Sequence, residues 1–202
     1  MKSKGCIIAG AVGGGIVLLA IIVIMWGVGV YNNLVGLDEG VRTAWSQVES
    51  QYQRRADLIP NLVNTVKGFA AQEREVLLGV TEARARVGQI TVTPEVLENP
   101  EAFSRFQAAQ DQLSSALSRL LAVAENYPNL KSNENFLALQ TQLEGTENRI
   151  AVERQRYNQV VQGYNTTIRT VPTSMIAGMF GFKEKAYFTA AEGAEEAPTV
   201  QF

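Results

Sequence analysis

The sequence predicts an all-α protein in which an N-terminal transmembrane helix precedes an elongated antiparallel up-and-down bundle of four helices. One long uncharged stretch lies near the N-terminus. After that stretch, apolar residues recur in steps of three and four, which is the period of a helix packed along one face. Sustained alternation of period two, which would indicate strands, does not occur.

The uncharged stretch covers residues 6–31 and reads CIIAGAVGGGIVLLAIIVIMWGVGVY. As a helix it would extend ~39 Å, against a hydrocarbon core of ~30 Å. Trp26 and Tyr31 lie at its end, where aromatic rings settle at the headgroup level. A cleaved signal peptide is the alternative, but signal cores span only about 7–15 residues. We therefore expect a retained single-pass anchor.

The basic residues around this stretch predict its orientation. Lys2 and Lys4 precede it, in a short N-terminal segment of residues 1–5. Arg42 follows it but is opposed by Asp38 and Glu39. Because basic residues concentrate on the cytoplasmic side of membrane proteins, we expect the N-terminus to lie in the cytoplasm. The anchor would then cross the cytoplasmic membrane, and the body would lie on its extracytoplasmic side.

Small residues within the stretch predict a packing face. Gly10 and Gly14 form a GxxxG pattern, which lets two transmembrane helices approach closely. Glycine is also common in membrane helices without any such role.

The body, residues 32–172, contains four runs of periodic apolar residues, at residues 34–52, 62–87, 103–127 and 136–171. Residues 88–100 hold two prolines and predict a connection or a short helical turn. Pro128 follows Tyr127 and marks the end of the third run, and Ser132 or Asn133 can cap the fourth, which ends before Pro172.

Pro60 leaves two topologies open. If the chain reverses near Arg55–Asp57, with Asp57 as the N-cap, there are four helices and the C-terminus returns to the membrane. If Pro60 only kinks one long helix, there are three helices and the C-terminus lies far from the membrane. The adjacent apolar pairs on either side of Pro60 favour the reversal.

The C-terminal part divides into two segments. Residues 173–190 are apolar and aromatic, with Phe180 and Phe182 near their centre. The apolar part of this segment, Ser174–Phe182, has nine residues and is too short to span a bilayer. It predicts either an interfacial anchor or a plug for the open end of the bundle. Residues 191–202 predict a flexible acidic tail.

Composition excludes several classes of function. The chain has no histidine and one cysteine, Cys6, and its net charge is −2. Histidine-based catalysis, zinc fingers and internal disulfides are therefore excluded. The acidic body is also poorly suited to bind nucleic acid. Since no nucleotide-binding glycine motif is present either, we expect no enzyme, no metal and no cofactor.

Several local strings resemble the LemA family of bacterial membrane proteins. The most specific are RRADLIPNLV at residues 54–63 and ENYPNLK at residues 125–131, accompanied by YNNLV, AWSQV, LQTQL and TENRIA. The resemblance covers roughly residues 1–185. Where the family commonly has a histidine after the second-helix VKG motif, this chain has Gln72. The resemblance implies an anchored helical bundle without an agreed biochemical activity.

These patterns lead to one functional hypothesis and one alternative. The hypothesis is a non-catalytic, membrane-anchored scaffold or interaction protein of the bacterial cell envelope. Its partners would be the lipid bilayer, further copies of the chain and other envelope proteins such as membrane peptidases, with no nucleic acid. The alternative is a self-assembling or membrane-remodelling oligomer built from the same bundle.

Three sets of residues are structural or interaction candidates. Around the predicted reversal, Arg55 and Asp57 would satisfy backbone groups and each other, beside Pro60 and Asn61. Glu73 and Arg154 fall on apolar seams and predict a buried pair that fixes the register of the bundle. The third set is predicted to pack in the core or at turns and contains Trp45, Tyr127, Pro128 and Tyr157, together with the polar neighbour Asn158.

Overall fold

A computed structural model describes the backbone of residues 2–189 and the side-chain surroundings of residues 12–189. This part of the chain contains helices and no strand, which confirms the all-α class. The helices are α1 Lys2–Phe69, α2 Arg74–Gly88, α3 Pro94–Leu97, α4 Pro100–Ala124, α5 Pro128–Lys131, α6 Glu134–Arg169 and α7 Thr173–Phe180. The predicted acidic tail, residues 191–202, lies outside the described residues.

Helix α1 continues through Pro60, so the predicted reversal at Arg55–Asp57 is wrong. Proline lacks the N–H that an interior helical position normally donates. Here the ring is exposed, while Ile59 and Leu62 on either side are buried and continue the three-four seam. Burial of that seam outweighs the missing hydrogen bond, and the helix breaks only at residues 70–73. Asp57 is therefore a mid-helix residue and not an N-cap.

The other predicted boundaries agree with the structure. A short helix, α3, interrupts the connection between residues 88 and 100, and Pro128 begins α5. Asn133 lies before α6, where its Oδ1 accepts the Phe136 N–H at 3.1 Å. Helix α6 ends at Arg169, before Pro172.

The chain divides into two compact units. Unit 1 contains Met1–Gly40 and Gly163–Glu184, and unit 2 contains Val41–Gln162 and the described residues from Lys185 onward. In unit 1, the buried side chains include Leu34, Tyr164, Ile168 and Ala177. In unit 2, α1 contributes a buried stripe at heptad spacing, formed by Val41, Trp45, Val48, Tyr52, Arg55, Ile59, Leu62 and Val66.

Contacts within unit 2 define the relative direction of its long helices. Trp45 contacts Phe103 and Arg55 contacts Gln110, so α1 and α4 run in the same direction. Trp45 also contacts Tyr157, whereas Arg55 contacts Glu147, so α1 and α6 run in opposite directions. These contacts do not confirm the complete antiparallel four-helix bundle, which stays a prediction.

Among the described helices, only α1 contains a stretch long and apolar enough to cross a membrane. Its large apolar side chains are exposed from Val12 to Val28. Gly14 lies within this stretch, and a Cβ placed on it would meet no other part of the described chain within 4 Å. The surroundings of Gly10 lie outside the described side chains.

Candidate functional site

Arg55 is the most deeply buried charged residue in the described part of unit 2, with 1% of its surface exposed. Its Nη1 donates to Ser114 Oγ at 2.7 Å and to Glu147 Oε1 at 2.8 Å, and its Nη2 donates to Gln110 Oε1. Ser114 and Gln110 belong to α4, and Glu147 belongs to α6. A buried guanidinium requires such charge-assisted hydrogen bonds, and these tie α1, α4 and α6 together.

The predicted Glu73–Arg154 pair is wrong. Arg154 donates from Nε to the Tyr52 hydroxyl at 2.7 Å and from Nη2 to Asp111 Oδ1 at 3.2 Å. Glu73 instead accepts a hydrogen bond from the Tyr127 hydroxyl at 2.8 Å. Glu73 lies in the break after α1. Arg154 belongs to α6 and contacts Tyr52, which lies well inside α1. The two residues belong to different levels of unit 2.

Two guanidinium groups lie close to the ring of Tyr52. The Cζ atoms of Arg55 and Arg154 are 5.3 and 5.6 Å from the centroid of its ring, within the range of cation–π contacts. Burial raises the pKa of Tyr52, although the two guanidinium charges oppose that shift. The phenol is therefore neutral at neutral pH, and its oxygen accepts the hydrogen bond from Arg154.

An aromatic box holds the side chain of Phe188. The ring centroids of Trp45, Phe103 and Tyr157 lie 6.1, 4.8 and 5.4 Å from that of Phe188. The Arg154 guanidinium covers the same ring, with Cζ 4.9 Å from the centroid. Phe188 is buried, and Trp45 beside it is buried too. Trp45 Nε1 has no hydrogen-bond partner within the described residues.

Residues 185–189 form an extended segment, here called the C-terminal strap, whose backbone is bound by side-chain amides. Asn158 donates from Nδ2 to the Phe188 carbonyl and accepts the Phe188 N–H at Oδ1, both at 2.9 Å. Gln107 donates to the Thr189 carbonyl at 2.7 Å and accepts the Thr189 N–H at 3.2 Å. Each amide thus satisfies both backbone groups of one strap residue.

The start of the strap is bound to α3 and α6. The Ala186 N–H donates to the Leu97 carbonyl at 2.8 Å, and the Ala186 carbonyl accepts from the Tyr157 hydroxyl at 3.1 Å. Lys185 is buried, and its Nζ donates to Glu98 Oε1 at 2.8 Å. Burial also raises the pKa of the Tyr157 hydroxyl, which keeps it a donor.

A solvent-open groove of about 730 Å³ lies beside these contacts, and Ser114, Glu147, Arg154, Asn158 and Phe188 belong to its lining. Ser114 and Glu147 accept hydrogen bonds from Arg55, and Asn158 is bound to the strap. The described residues hold no group of three or more His, Cys, Asp or Glu side chains suited to a metal ion. The paired side chains of this region hold helices and an extended segment in place.

Several of the predicted candidates meet here and others do not. Those brought together in unit 2 are Trp45, Arg55, Arg154, Tyr157 and Asn158. Asp57, Pro60 and Asn61 are exposed on α1, where Asp57 accepts a hydrogen bond from Gln53 at 2.9 Å. The core position of Tyr157, with its hydroxyl on a polar partner, agrees with the prediction.

Four further residues contribute contacts in this region and are not marked as candidates by the sequence pattern: Gln107, Ser114, Glu147 and Phe188. Gln107 and Ser114 lie on α4 beside Gln110, a polar residue on an otherwise apolar seam. A polar residue at a seam position signals a buried hydrogen-bond network, which would have directed attention to its neighbours. Phe188 lies in an aperiodic segment and carries no such signal.

In unit 1, Phe180 and Phe182 contact one aromatic residue, Tyr31. Their ring centroids lie 4.7 and 5.9 Å from that of Tyr31. Phe182 is half-buried, but Phe180 is exposed. Phe180 therefore does not fill a core, which weighs against the predicted plug.

Comparison with known proteins finds similarity to proteins named LemA and to magnetosome proteins named MamQ. The profile of the LemA family matches residues 44–202. Magnetosome protein MamQ 1 of Paramagnetospirillum magneticum and Magnetosome protein MamQ of Magnetospirillum gryphiswaldense are each 29% identical over 174 residues. These matches cover 78% of this chain but only 64% of the length of either relative. Protein LemA of Metamycoplasma hominis is 24% identical over 168 residues, which cover 82% of this chain and 71% of that protein.

Proposed function

The chain belongs to the LemA family, and on that premise we propose that it is a non-catalytic, membrane-anchored scaffold or interaction protein of the bacterial cell envelope. One observation carries this proposal, namely the change in exposure pattern along α1. Neither of the names its relatives bear, LemA and magnetosome protein MamQ, denotes a reaction, which supports a role other than catalysis.

The N-terminal part of α1 suits lipid and its C-terminal part suits water. From Val12 to Val28 the large apolar side chains are exposed on every side of the helix. Such a surface is unfavourable in water and matches a hydrocarbon core, where the helix satisfies its own backbone. From Val41 to Val66 only one stripe is buried, which is the pattern of a helix with one face in a core and the other in water.

The direction of insertion follows from the charges. Lys2 and Lys4 precede the apolar stretch, so the N-terminus lies in the cytoplasm and the body lies outside the cytoplasmic membrane. In this arrangement the chain crosses the membrane once.

The charged residues of the described body serve its architecture. Arg55 donates a hydrogen bond to Glu147, and Arg154 donates hydrogen bonds to Tyr52 and Asp111. These contacts fix the helices against each other. A body held in register in this way presents an invariant outer surface to partners. Leu78, Leu137 and Val152 are exposed apolar residues on that surface.

Photo-crosslinking in native membranes tests the proposal. A benzophenone amino acid is introduced into the full chain at Leu78, at Leu137 or at Val152, and the membranes are irradiated. A scaffold or interaction protein gives discrete adducts with other envelope proteins from at least one position. Absence of any adduct from all three positions contradicts the interaction role. A ladder of self-adducts alone overturns the scaffold in favour of self-assembly.

Self-assembly is the second candidate because the small-residue surface of α1 is open. A Cβ placed on Gly13, Gly14 or Gly15 would meet no other part of the described chain within 4 Å. Such a surface allows a second helix to approach closely in a bilayer.

Imaging of the detergent-purified full chain by negative stain distinguishes the candidates. Rings or filaments that Gly14→Leu abolishes and Gly29→Leu retains favour self-assembly, since Gly29 is equally open but lies outside the GxxxG pattern. Discrete small particles in all three proteins favour the scaffold.

A further inference from the structure

Helix α7 exposes a cluster of large apolar side chains in unit 1. Met175, Met179 and Phe180 are 69%, 78% and 59% exposed. Residues 175 and 179 are four apart and therefore lie on one face of the helix, with Phe180 beside them. The opposite side carries Ala177, which is buried. Contiguous exposed apolar surface of this kind marks a contact with a partner or with a membrane.

The position of α7 within unit 1 identifies that partner. The Cδ1 atom of Ile176 lies 3.9 Å from where a Cβ of Gly27 would stand, and the ring of Phe180 lies 4.7 Å from that of Tyr31. Gly27 and Tyr31 belong to the C-terminal end of the uncharged stretch of α1. If that stretch spans the bilayer, α7 lies at the level of the lipid headgroups.

We propose that α7 is an interfacial lipid-binding helix that inserts Met175, Met179 and Phe180 into the boundary between headgroups and acyl chains. This inference rests on the proposed membrane anchoring of α1. With eight residues α7 is about 12 Å long, which is too short to span a bilayer and long enough to lie on it. Because α7 contacts α1 at Gly27 and Tyr31, the same leaflet would cover both.

The arrangement makes α7 a second attachment of the chain to one bilayer. A single helix crossing the membrane is free to rotate about its axis, whereas a span joined to a helix lying on the surface is held in one orientation. Gly181, with a φ of +76°, ends α7 and turns the chain away from it. Interfacial binding by α7 would thus orient the anchor relative to the membrane plane.

Spin-label accessibility in vesicles tests the proposal. The full chain carries Cys6→Ser and one new cysteine, Met179→Cys, Val23→Cys or Leu78→Cys, and is reconstituted into vesicles of phosphatidylcholine and phosphatidylglycerol. Each label is probed with apolar oxygen and with a polar nickel chelate. Val23 is the control for the span and Leu78 the control for water, and each of the three native side chains is exposed.

The expected order of the oxygen-to-nickel collision ratio is Val23 above Met179, and Met179 several-fold above Leu78. A Met179 ratio equal to that of Leu78, with Val23 still high, overturns the lipid contact of α7 and leaves the anchor intact. A Val23 ratio equal to that of Leu78 overturns the anchor itself. Low collision rates of both reagents at Met179 show a protein contact, such as a second copy of the chain, and also overturn the lipid assignment.

Discussion

Arg55 and Glu147 lie 92 residues apart in the chain, yet the guanidinium of Arg55 donates to the carboxylate of Glu147 at 2.8 Å. Arg55 is buried, whereas the Glu147 side chain is 36% exposed. The contact therefore joins a charge without access to water to a partner at the edge of the core. Because the two residues belong to α1 and α6, it aligns these helices against each other.

Removal of the Glu147 side chain is expected to destabilise the protein more than is usual for a partly exposed residue. Glu147→Ala leaves the buried Arg55 with only neutral acceptors, so the free energy of unfolding should fall by ~1.5–3 kcal/mol. Adding Arg55→Met removes the stranded charge and should recover part of that loss. Urea unfolding of the full chain in detergent micelles, followed by circular dichroism, measures both. Glu144→Ala, at an exposed position of α6, is the control, and an equal effect of Glu144→Ala and Glu147→Ala contradicts the prediction.

The side chain of Phe188 in the strap is expected to contribute to the stability of the protein. Phe188→Ala removes a ring buried among Trp45, Phe103 and Tyr157 and should lower the free energy of unfolding by ~3–5 kcal/mol. Tyr187→Ala, at the exposed neighbouring position, should change it by less than ~1 kcal/mol. Limited proteolysis should cut within residues 185–189 much faster in Phe188→Ala than in Tyr187→Ala. Equal cleavage of the two variants would mean that the aromatic box does not hold the strap.

Pro60 should be a destabilising residue inside a continuous helix. Pro60→Ala restores a backbone donor and removes a ring that is exposed, so it is expected to raise the free energy of unfolding by ~1–3 kcal/mol. Alanine also raises the conformational entropy of the unfolded chain, which reduces this gain by ~0.4–1 kcal/mol. Asn61→Ala, at the exposed neighbour, is the control. A clear loss of stability in Pro60→Ala would indicate that the chain turns at this proline after all.

Alkaline pH should destabilise the protein through Tyr157. Burial raises the pKa of its hydroxyl in the folded state, while in the unfolded chain it ionises near pH ~10. The folded state then holds a proton that the unfolded state has lost, so the stability that this tyrosine contributes is complete below pH ~10 and is lost as the pH rises toward its folded pKa. The free energy of unfolding, measured between pH 8 and 11 as rough limits, should fall less steeply in Tyr157→Phe. An unchanged slope in Tyr157→Phe refutes the prediction.

The periodic part of the fold could be predicted from the sequence because burial repeats there. Trp45, Tyr157 and Leu113 lie on seams that the apolar pattern marks, and the structure buries all three. At Pro60 the prediction is wrong because proline is a local signal against helix, whereas the burial of Ile59 and Leu62 is a tertiary effect that overrides it. Local preference and tertiary burial compete, and the sequence shows only the first directly.

The partners of the buried charges could not be predicted from periodicity. A seam position indicates that a residue faces the core but not the level along the bundle at which it meets another helix. The predicted Glu73–Arg154 pair is wrong for this reason. Glu147 lies beside the seam residue Thr146 and offers a carboxylate from the edge of the core to Arg55. Phe188 follows Pro172, in a segment without period, and its place in the aromatic box depends on contacts with residues far away in the chain.

Cysteine labelling in spheroplasts tests membrane anchoring, the central claim, most directly. Three full chains carry Cys6→Ser together with Ser3→Cys, Val23→Cys or Leu78→Cys, and each is treated with a maleimide that does not cross membranes. We expect Leu78→Cys to be labelled in intact spheroplasts, Ser3→Cys only after lysis, and Val23→Cys only after denaturation. Labelling of Val23→Cys in intact spheroplasts, or release of the protein from membranes by alkaline carbonate, would contradict the account.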